Sequence, residues 1–275
     1  MRIYSIIVYL FLYVPIGIIV LFSFNAGRHA SQFQGFSIKW YGKALANPFM
    51  MDALTTSLII ALSAAFLSSL MGTTAALALQ RMRGPMKALF DGMIYVAIMI
   101  PGIVIGIATL VALVTVFDFL NPLLAAIWPE GVKPPKMSLG YASVIAAHTL
   151  FTMSLVILLV RARIDGMDRS LIEASQDLYA TPWQTFRQVT LPQIFPAILA
   201  GFLLSFTFSF DDFIISFFVA GTNSTLPMYV FSSIRRGITP EVNAIGTMVL
   251  GVSLTLLIFA QYLLRAREPK RVNAD

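Results

Sequence analysis

Two adjacent carboxylates, Asp211 and Asp212, lie inside a long apolar stretch of this 275-residue chain. An ionised carboxylate at the centre of a membrane helix costs about 3 kcal/mol on insertion scales, so such a pair needs compensation. One compensation is structural, a cation or hydrogen-bond donors from a neighbouring helix. The other is functional, a cationic solute that crosses the membrane and meets the acid as its counter-charge. The sequence leaves both open for each acid.

The residues around the two acids repeat at helical spacing. On a continuous helix, side chains at i, i+4, i+7 and i+11 share one stripe, and here all four are polar. Asp211 is turned about 100° from that stripe. Phenylalanine rings nearby present faces that attract ammonium groups. We predict a translocation path formed by Ser205, Ser209, Asp212 and Ser216, with Asp211 and Phe208 beside it and weaker ring contributions from Phe206, Phe210 and Phe213.

Other chemistries find little support in the residues. The chain has no Cys, and His29 and His148 lack the spacing of a metal-binding pair, so we expect no metal site. We interpret His148 as a hydrogen-bonded packing residue. The phosphate-binding motif Gly-x-x-x-x-Gly-Lys-Ser/Thr is absent, as is any usable Ser/His dyad. We therefore expect a chain that is not an enzyme and binds no cofactor.

The composition predicts a membrane protein. Hydrophobic residues make up 58% and charged residues 12% of the chain, against roughly 25% charged residues in soluble domains. The apolar runs are long enough to cross a bilayer, and lipid requires backbone groups to be paired within each segment. We predict an all-α polytopic protein with a single transmembrane domain over 1–275 and about six spans: Ile3–Phe24, Leu54–Leu79, Leu89–Phe117, Ser138–Val160, Ile194–Val219 and Ala244–Leu264.

The basic residues predict the orientation. Twelve of the 19 Lys and Arg lie at the termini and in the loops 80–88 and 161–193, and cytoplasmic segments carry the excess of basic residues. Both termini are therefore expected in the cytoplasm. The first stretch is too long for the apolar core of a signal peptide, so we expect it to be retained. No basic face interleaved with aromatic residues occurs, which argues against a nucleic-acid partner.

The segments between spans also carry signals. We expect short interfacial helices in Asn25–Asp52 and Asp118–Met137, which contain Pro, Gly and aromatic residues suited to the headgroup region. In span three, Pro101-Gly102 and Gly106 are compatible with a broken helix that exposes carbonyls to a cavity. Close packing of small residues explains them equally well.

The loop Arg161–Pro192 is polar and patterned as two short helices. Glu173, Ala174 and Asp177 share one helical surface, and Thr181-Pro182 has the residue types of an N-cap and a first helical residue. Leu191-Pro192 is expected to end the second helix ahead of span five. These patterns alone are typical of a solvated helical hairpin.

The loop also resembles the "EAA" loop of permease subunits of ATP-binding-cassette importers. In that family a Glu-Ala-Ala run, a later Gly and a terminal Leu-Pro form a helix that docks in a cleft of the ATPase. If the family Gly serves a positive-φ turn, Tyr179 in its place is strained, and we expect docking with altered geometry. Ser175 is a second, milder departure. The matching residues are Glu173, Ala174, Ala180, Phe186, Leu191 and Pro192.

The resemblance covers nearly the whole chain and is strongest to the polyamine (spermidine/putrescine) branch, in particular to the second of its two permeases. One departure is Gly102, which follows Pro101 where this branch often has an acid. The segments that carry the resemblance are Ser23-Phe24-Asn25, Trp40-Tyr41, Ser205–Phe213, Leu226-Pro227 and Pro240–Ala244.

This resemblance implies a type I importer permease fold in a bacterial inner membrane. It implies a second permease subunit, two ATPase subunits that bind ATP and Mg, and an extracytoplasmic substrate-binding protein. The implied substrate is putrescine or spermidine; an opine or amino acid derivative, and an ion-coupled transporter using Asp211 or Asp212 for H⁺ or Na⁺, are the alternatives. The implied ATPase-coupling residues are Glu173, Ala174, Ser175, Asp177, Tyr179 and Ala180.

Overall fold

The computed structural model describes residues 2–265 except 29–31, 130, 169 and 238, without the side chains of 2, 3 and 256–265. His29 lies outside the described residues. The described chain is helical, as predicted, with one isolated bridge between Asn25 and Phe36. The helices are α1 (Arg2–Ser23), α2 (Lys39–Ala46), α3 (Pro48–Arg81), α4 (Pro85–Met99), α5 (Gly102–Ile127), α6 (Tyr141–Asp165), α7 (Ser170–Asp177), α8 (Pro182–Thr185), α9 (Leu191–Asp211), α10 (Ile214–Val219), α11 (Leu226–Arg236) and α12 (Pro240–Arg265).

The polytopic architecture is confirmed. Among the described residues, five segments are long and apolar enough to cross a membrane. The sixth predicted span, 244–264, falls within α12, whose last side chains lie outside the description. The five segments are Tyr4–Ser23, Pro48–Arg81, Gly102–Ile127, Tyr141–Asp165 and Pro182–Asp211.

The predicted third span, Leu89–Phe117, is wrong as a single helix. The structure ends α4 at Met99 and begins α5 at Gly102, with Ile100 in an extended conformation at ψ 130°. Pro101 explains the break, because proline lacks an N–H and disfavours a helical conformation for the residue before it. The membrane-crossing segment is instead Gly102–Ile127.

The chain divides into two units, one of residues 1–51 and 229–275 and the other of residues 52–228. The single domain over 1–275 therefore stays a prediction. In the first unit, α1 and α2 pack against α12. The amide of Asn47 donates to the hydroxyl of Tyr229 over 3.1 Å and to the carboxylate of Glu241 over 2.7 Å. The short helix α2 confirms the expected helix in Asn25–Asp52.

In the second unit, α6 is the central helix and contacts α4, α5, α9 and α10. Hydroxyl pairs fix its position against α3: Ser68 lies 2.6 Å from Thr152, and Thr56 lies 2.8 Å from the hydroxyl of Tyr141. Such contacts suit a membrane bundle, where lipid is as apolar as the core and polar pairs therefore help select helix neighbours.

Two glycines allow α3, α6 and α9 to approach one another closely. Gly72 of α3 and Gly201 of α9 both face Val156 of α6. A Cβ atom at Gly72 would lie 2.8 Å from the Val156 Cβ, and one at Gly201 would lie 3.2 Å from its Cγ1. Small residues at such contacts are how membrane helices reach close packing. This contact fixes α9, which carries the predicted site residues.

We expect Gly72→Ala to destabilise the protein by about 1 to 3 kcal/mol, the usual cost of overpacking a tight contact. Thermal unfolding in detergent, followed by size-exclusion chromatography, measures the loss. Gly92→Ala is the matched control, because, apart from its chain neighbours and the backbone of its own helix, no atom of the described residues lies within 4 Å of a Cβ added at Gly92. Val156→Ala should partly restore the stability of Gly72→Ala. Equal stability of the two single variants would contradict this packing.

Candidate functional site

The fifth span is interrupted at the two acids. Helix α9 ends at Asp211, Asp212 is extended at φ −70° and ψ 121°, and α10 begins at Ile214. The predicted continuous helix Ile194–Val219 is therefore wrong. Helical periodicity therefore does not determine where Asp212 and Ser216, the last two residues of the predicted polar stripe, point, because both follow the end of α9.

The side chain of His148 makes contacts on both sides of this break. Its Nδ1 lies 2.7 Å from the Ser209 hydroxyl in α9, and its Nε2 lies 3.2 Å from the Asp212 carboxylate and 3.2 Å from the Ser216 hydroxyl. The same Asp212 oxygen accepts the backbone N–H of Ser216 over 2.9 Å. His148 is 1% exposed. It is thus a hydrogen-bonded interior residue, as interpreted from the sequence.

The predicted path residues take two different environments. Ser205, Ser209 and Ser216 are buried within the chain, so in this structure they face its interior. The Ser205 hydroxyl has no hydrogen-bond partner among the described residues. Asp211 is exposed. The role of these side chains in translocation stays a prediction, and the structure separates them into an interior group and an open group.

Asp211 and Phe208, two of the predicted path residues, line a cavity of about 570 Å³. Asp211 has no ion-pair or hydrogen-bond partner among the described residues. No basic residue contributes to the lining, so the cavity is acidic and otherwise largely apolar, an environment that suits a cation carrying methylene groups. The lining residues are Thr207, Phe208, Asp211, Asp212, Phe213 and Ile214.

The phenylalanine rings divide in the same way. Phe206 stacks on Phe210 with ring centroids 5.8 Å apart, and Phe210 is buried. Phe208 packs edge-on against Phe151 and keeps 45% of its surface exposed at the cavity. Phe208 is therefore the ring best placed to meet a ligand there, whereas Phe206 and Phe210 pack against each other.

The loop between α6 and α9 contains the two predicted helices, α7 and α8, joined by a tight turn. Tyr179 in this turn has φ 57°, the left-handed conformation that favours glycine. The backbone N–H groups of Tyr179 and Ala180 donate to Gln176 and Ser175 over 2.9 and 3.1 Å. The turn thus keeps the left-handed geometry expected for a glycine, and the Tyr179 ring is 95% exposed.

Helix α8 begins as predicted, with Thr181 as N-cap and Pro182 as the first helical residue. The Thr181 hydroxyl accepts the Gln184 backbone N–H over 3.3 Å, and the Gln184 side chain accepts the Thr181 backbone N–H over 2.7 Å. This reciprocal capping satisfies donors that a helix start leaves unpaired. The Ser175 hydroxyl lies 2.9 Å from that of Thr185 and joins α7 to α8.

The predicted end of the second helix at Leu191-Pro192 is wrong. Residues Phe186–Thr190 form a π-helical turn, and the backbone N–H of Leu191 bonds to the carbonyl of Phe186. The chain then continues directly into α9, where Pro192 lies in the first turn. Because proline has no backbone N–H, the helical hydrogen-bond pattern lacks one bond at this junction. The loop is therefore connected to the broken span by continuous helical structure.

The coupling residues implied by the family resemblance lie at the surface of this loop. Glu173, Ala174, Asp177 and Tyr179 are exposed, whereas Ser175 and Ala180 are half-buried. Large apolar side chains are exposed beside them: Leu178 is 82% and Trp183 67% exposed.

Two cavities border the loop, of about 740 Å³ on the Glu173 side and about 500 Å³ on the Leu178 side.

Ahead of α7, the backbone N–H and the side chain of Ser170 bond to Asp168 and lower the pKa of that carboxyl.

The sequence offered no spacing signal for the link between His148 and Asp212, because they are 64 positions apart. A polar residue in an apolar span was the available signal, since such a residue must find a partner in the bundle. Among the described residues no group of three His, Asp or Glu side chains lies close enough to hold a metal ion.

A helical membrane chain with a broken span, an acidic cavity and an exposed helical hairpin has the features of a transport permease. Residues 68–273 match the family described as the binding-protein-dependent transport system inner membrane component. The chain is 37% identical over 267 residues to the putrescine transport system permease protein PotI of Escherichia coli (strain K12), covering 96% of this chain and 90% of that protein. It is 36% identical over 260 residues to the spermidine/putrescine transport system permease protein PotC of Haemophilus influenzae, covering 94% of each.

This chain belongs to the family of binding-protein-dependent transport system inner membrane components. Solved structures share its fold. A bacterial ABC transporter involved in the import of the acidic polysaccharide alginate matches with a TM-score of 0.75 and 16% identity, over 98% of this chain and 95% of that chain. The type I importer permease fold expected from the sequence is confirmed.

We expect Tyr179→Gly to stabilise the turn between α7 and α8, because a left-handed conformation costs a side chain about 1 to 2 kcal/mol. Amide hydrogen exchange over residues 170–185 should then be slower than in the wild type. Tyr179→Val is the opposite control, since a β-branched residue is strained further at positive φ. Faster exchange in the glycine variant than in the valine variant would contradict the left-handed turn.

Proposed function

We propose that this chain is one permease subunit of an ATP-driven importer that moves a polyamine, putrescine or spermidine, into the bacterial cytoplasm. The observation that carries the proposal is the exposed carboxylate of Asp211 on a cavity in an otherwise apolar span. The names of the two relatives, a putrescine and a spermidine/putrescine permease, support the substrate class.

The charge of the substrate explains why an acid is tolerated at this position. An unpaired carboxylate in a membrane span is costly, so such residues face a bundle interior or a water-filled path and mark sites of transport. A polyamine supplies the compensating cation only while it passes. Thr207 and Phe208 lie on the same cavity, where Phe208 presents a ring to an ammonium or methylene group.

The energy for transport comes from partner subunits. The exposed loop side chains of Glu173, Leu178, Tyr179 and Trp183 suit docking in an ATPase cleft. The π-helical turn and α9 connect that loop to the break at Asp212, so a displacement of the loop reaches the substrate cavity through one helix. An ion-coupled transporter has no use for such a docking hairpin.

The assembly that fits this function has a second, different permease subunit, two ATPase subunits that bind ATP and Mg, and an extracytoplasmic binding protein. A solved relative of the fold is a bacterial alginate ABC transporter in complex with an alginate pentasaccharide-bound periplasmic protein, which illustrates this type of delivery. The bias of basic residues places both termini and the hairpin in the cytoplasm.

We expect Asp211→Asn to raise the KM for uptake of labelled putrescine at least about fivefold, since a charge pair at contact contributes ~1 kcal/mol or more. Uptake is measured in proteoliposomes that contain the whole transporter and its binding protein. Asp211→Glu keeps the charge and should remain near the wild-type KM. An unchanged KM in Asp211→Asn would exclude the counter-charge role.

We expect Glu173→Ala to reduce the amount of ATPase that copurifies with the tagged permease at least about tenfold, the effect of losing ~1.4 kcal/mol of binding. Asp165→Ala is the matched control, because it removes an exposed carboxylate on the same side at the end of α6. A normal yield of ATPase with Glu173→Ala would contradict docking through this loop.

A further inference from the structure

The side chain of His148 forms hydrogen bonds to both α9 and α10. Among the described residues of α6, it is the one residue that does so. On its own helix, Val144 is fully buried one turn before it, and the hydroxyl of Thr152 one turn after it donates to the His148 carbonyl over 2.8 Å. Packing alone requires no imidazole here. The position of its two nitrogens on opposite sides of the helix break calls for a more specific role.

The hydrogen bonds assign a direction to the network. In a neutral imidazole, Nε2 of His148 carries the proton and donates to Asp212 over 3.2 Å, because the carboxylate accepts only. Nδ1 then accepts the hydroxyl proton of Ser209 over 2.7 Å. Asp212 uses the same oxygen to accept the backbone N–H of Ser216 at the start of α10. One carboxylate oxygen therefore joins His148 to the first turn after the break.

We propose that His148 is a positioning residue for Asp211. By pairing with the half-buried carboxylate of Asp212, it keeps the chain extended at residue 212, so that α9 ends at Asp211. The neighbouring carboxylate of Asp211 is thereby directed to the cavity with Thr207 and Phe208. The role in substrate binding rests on the proposed function of Asp211, whereas the geometric role does not.

Cysteine labelling tests the geometry without any substrate. The chain has no Cys, so a single Asp211→Cys substitution gives this subunit one thiol, whose labelling in the assembled transporter is read on the separated subunit. A water-soluble thiol reagent should label it readily. Adding His148→Leu should slow that labelling at least tenfold, and His148→Gln, which keeps a donor and an acceptor, should restore much of the rate.

A reporter at Thr207→Cys is the control for folding. Thr207 lies on the same cavity but within the regular part of α9, where its hydroxyl donates to the Leu203 carbonyl over 2.9 Å. Its labelling rate should be equal with and without His148→Leu. If that variant does not assemble, Asp212→Asn takes its place. Unchanged labelling at position 211 in the assembled variant would overturn the proposal.

Uptake kinetics test the link to transport. His148→Leu should raise the KM for labelled putrescine in the chain with Asp211 and cause no further rise in the Asp211→Asn chain. Additive effects of the two substitutions on KM would overturn positioning through Asp211. A third outcome separates the two claims. If His148→Leu slows labelling at position 211 but Asp211→Asn has a wild-type KM, the positioning by His148 stands and Asp211 is not the counter-charge of the substrate.

Discussion

In a lipid bilayer, an interrupted helix must satisfy the polar groups at its interruption from inside the protein, and here His148 supplies the partner. Its contact with Asp212 stabilises an extended residue where a continuous helix would otherwise run. Two adjacent acids that line one cavity thus acquire different environments: Asp212 is half-buried and paired with His148, whereas Asp211 is exposed. The close contact of Gly72 and Gly201 with Val156 supports the arrangement, because it fixes α9 against the helix that carries His148.

The loop and the cavity are related through the chain itself. The π-helical turn at Phe186–Thr190 lets α8 continue into α9 despite Pro192, so the exposed hairpin and Asp211 are the two ends of one helical path. In the proposed transporter, an ATPase that moves the hairpin would therefore act on the residues beside the break. The strained Tyr179 adds an exposed ring at the turn where the family pattern has glycine.

The spans, the hairpin and the cap at Thr181 could be predicted from the sequence because they depend on local patterns: apolar length, polarity and residue types at fixed positions. The family glycine at the position of Tyr179 raised a left-handed turn only as a condition, and the structure shows that conformation there at φ 57°. The breaks were harder. Pro101 carried a local signal for one, but the break at Asp212 depends on a partner 64 positions away. Helical periodicity predicted a path at Ser209 and Ser216; the structure brings both hydroxyls to His148, and their role in translocation stays a prediction.

The contact between Asp211 and the transported cation is the centre of the proposed mechanism. A cryo-EM structure of the complete transporter, trapped with putrescine between its two permeases, tests it most directly. We expect one ammonium group at hydrogen-bonding distance from the Asp211 carboxylate, with Asp212 still bonded to His148. An ammonium group held by other residues, with the Asp211 side chain turned to lipid, would contradict the mechanism.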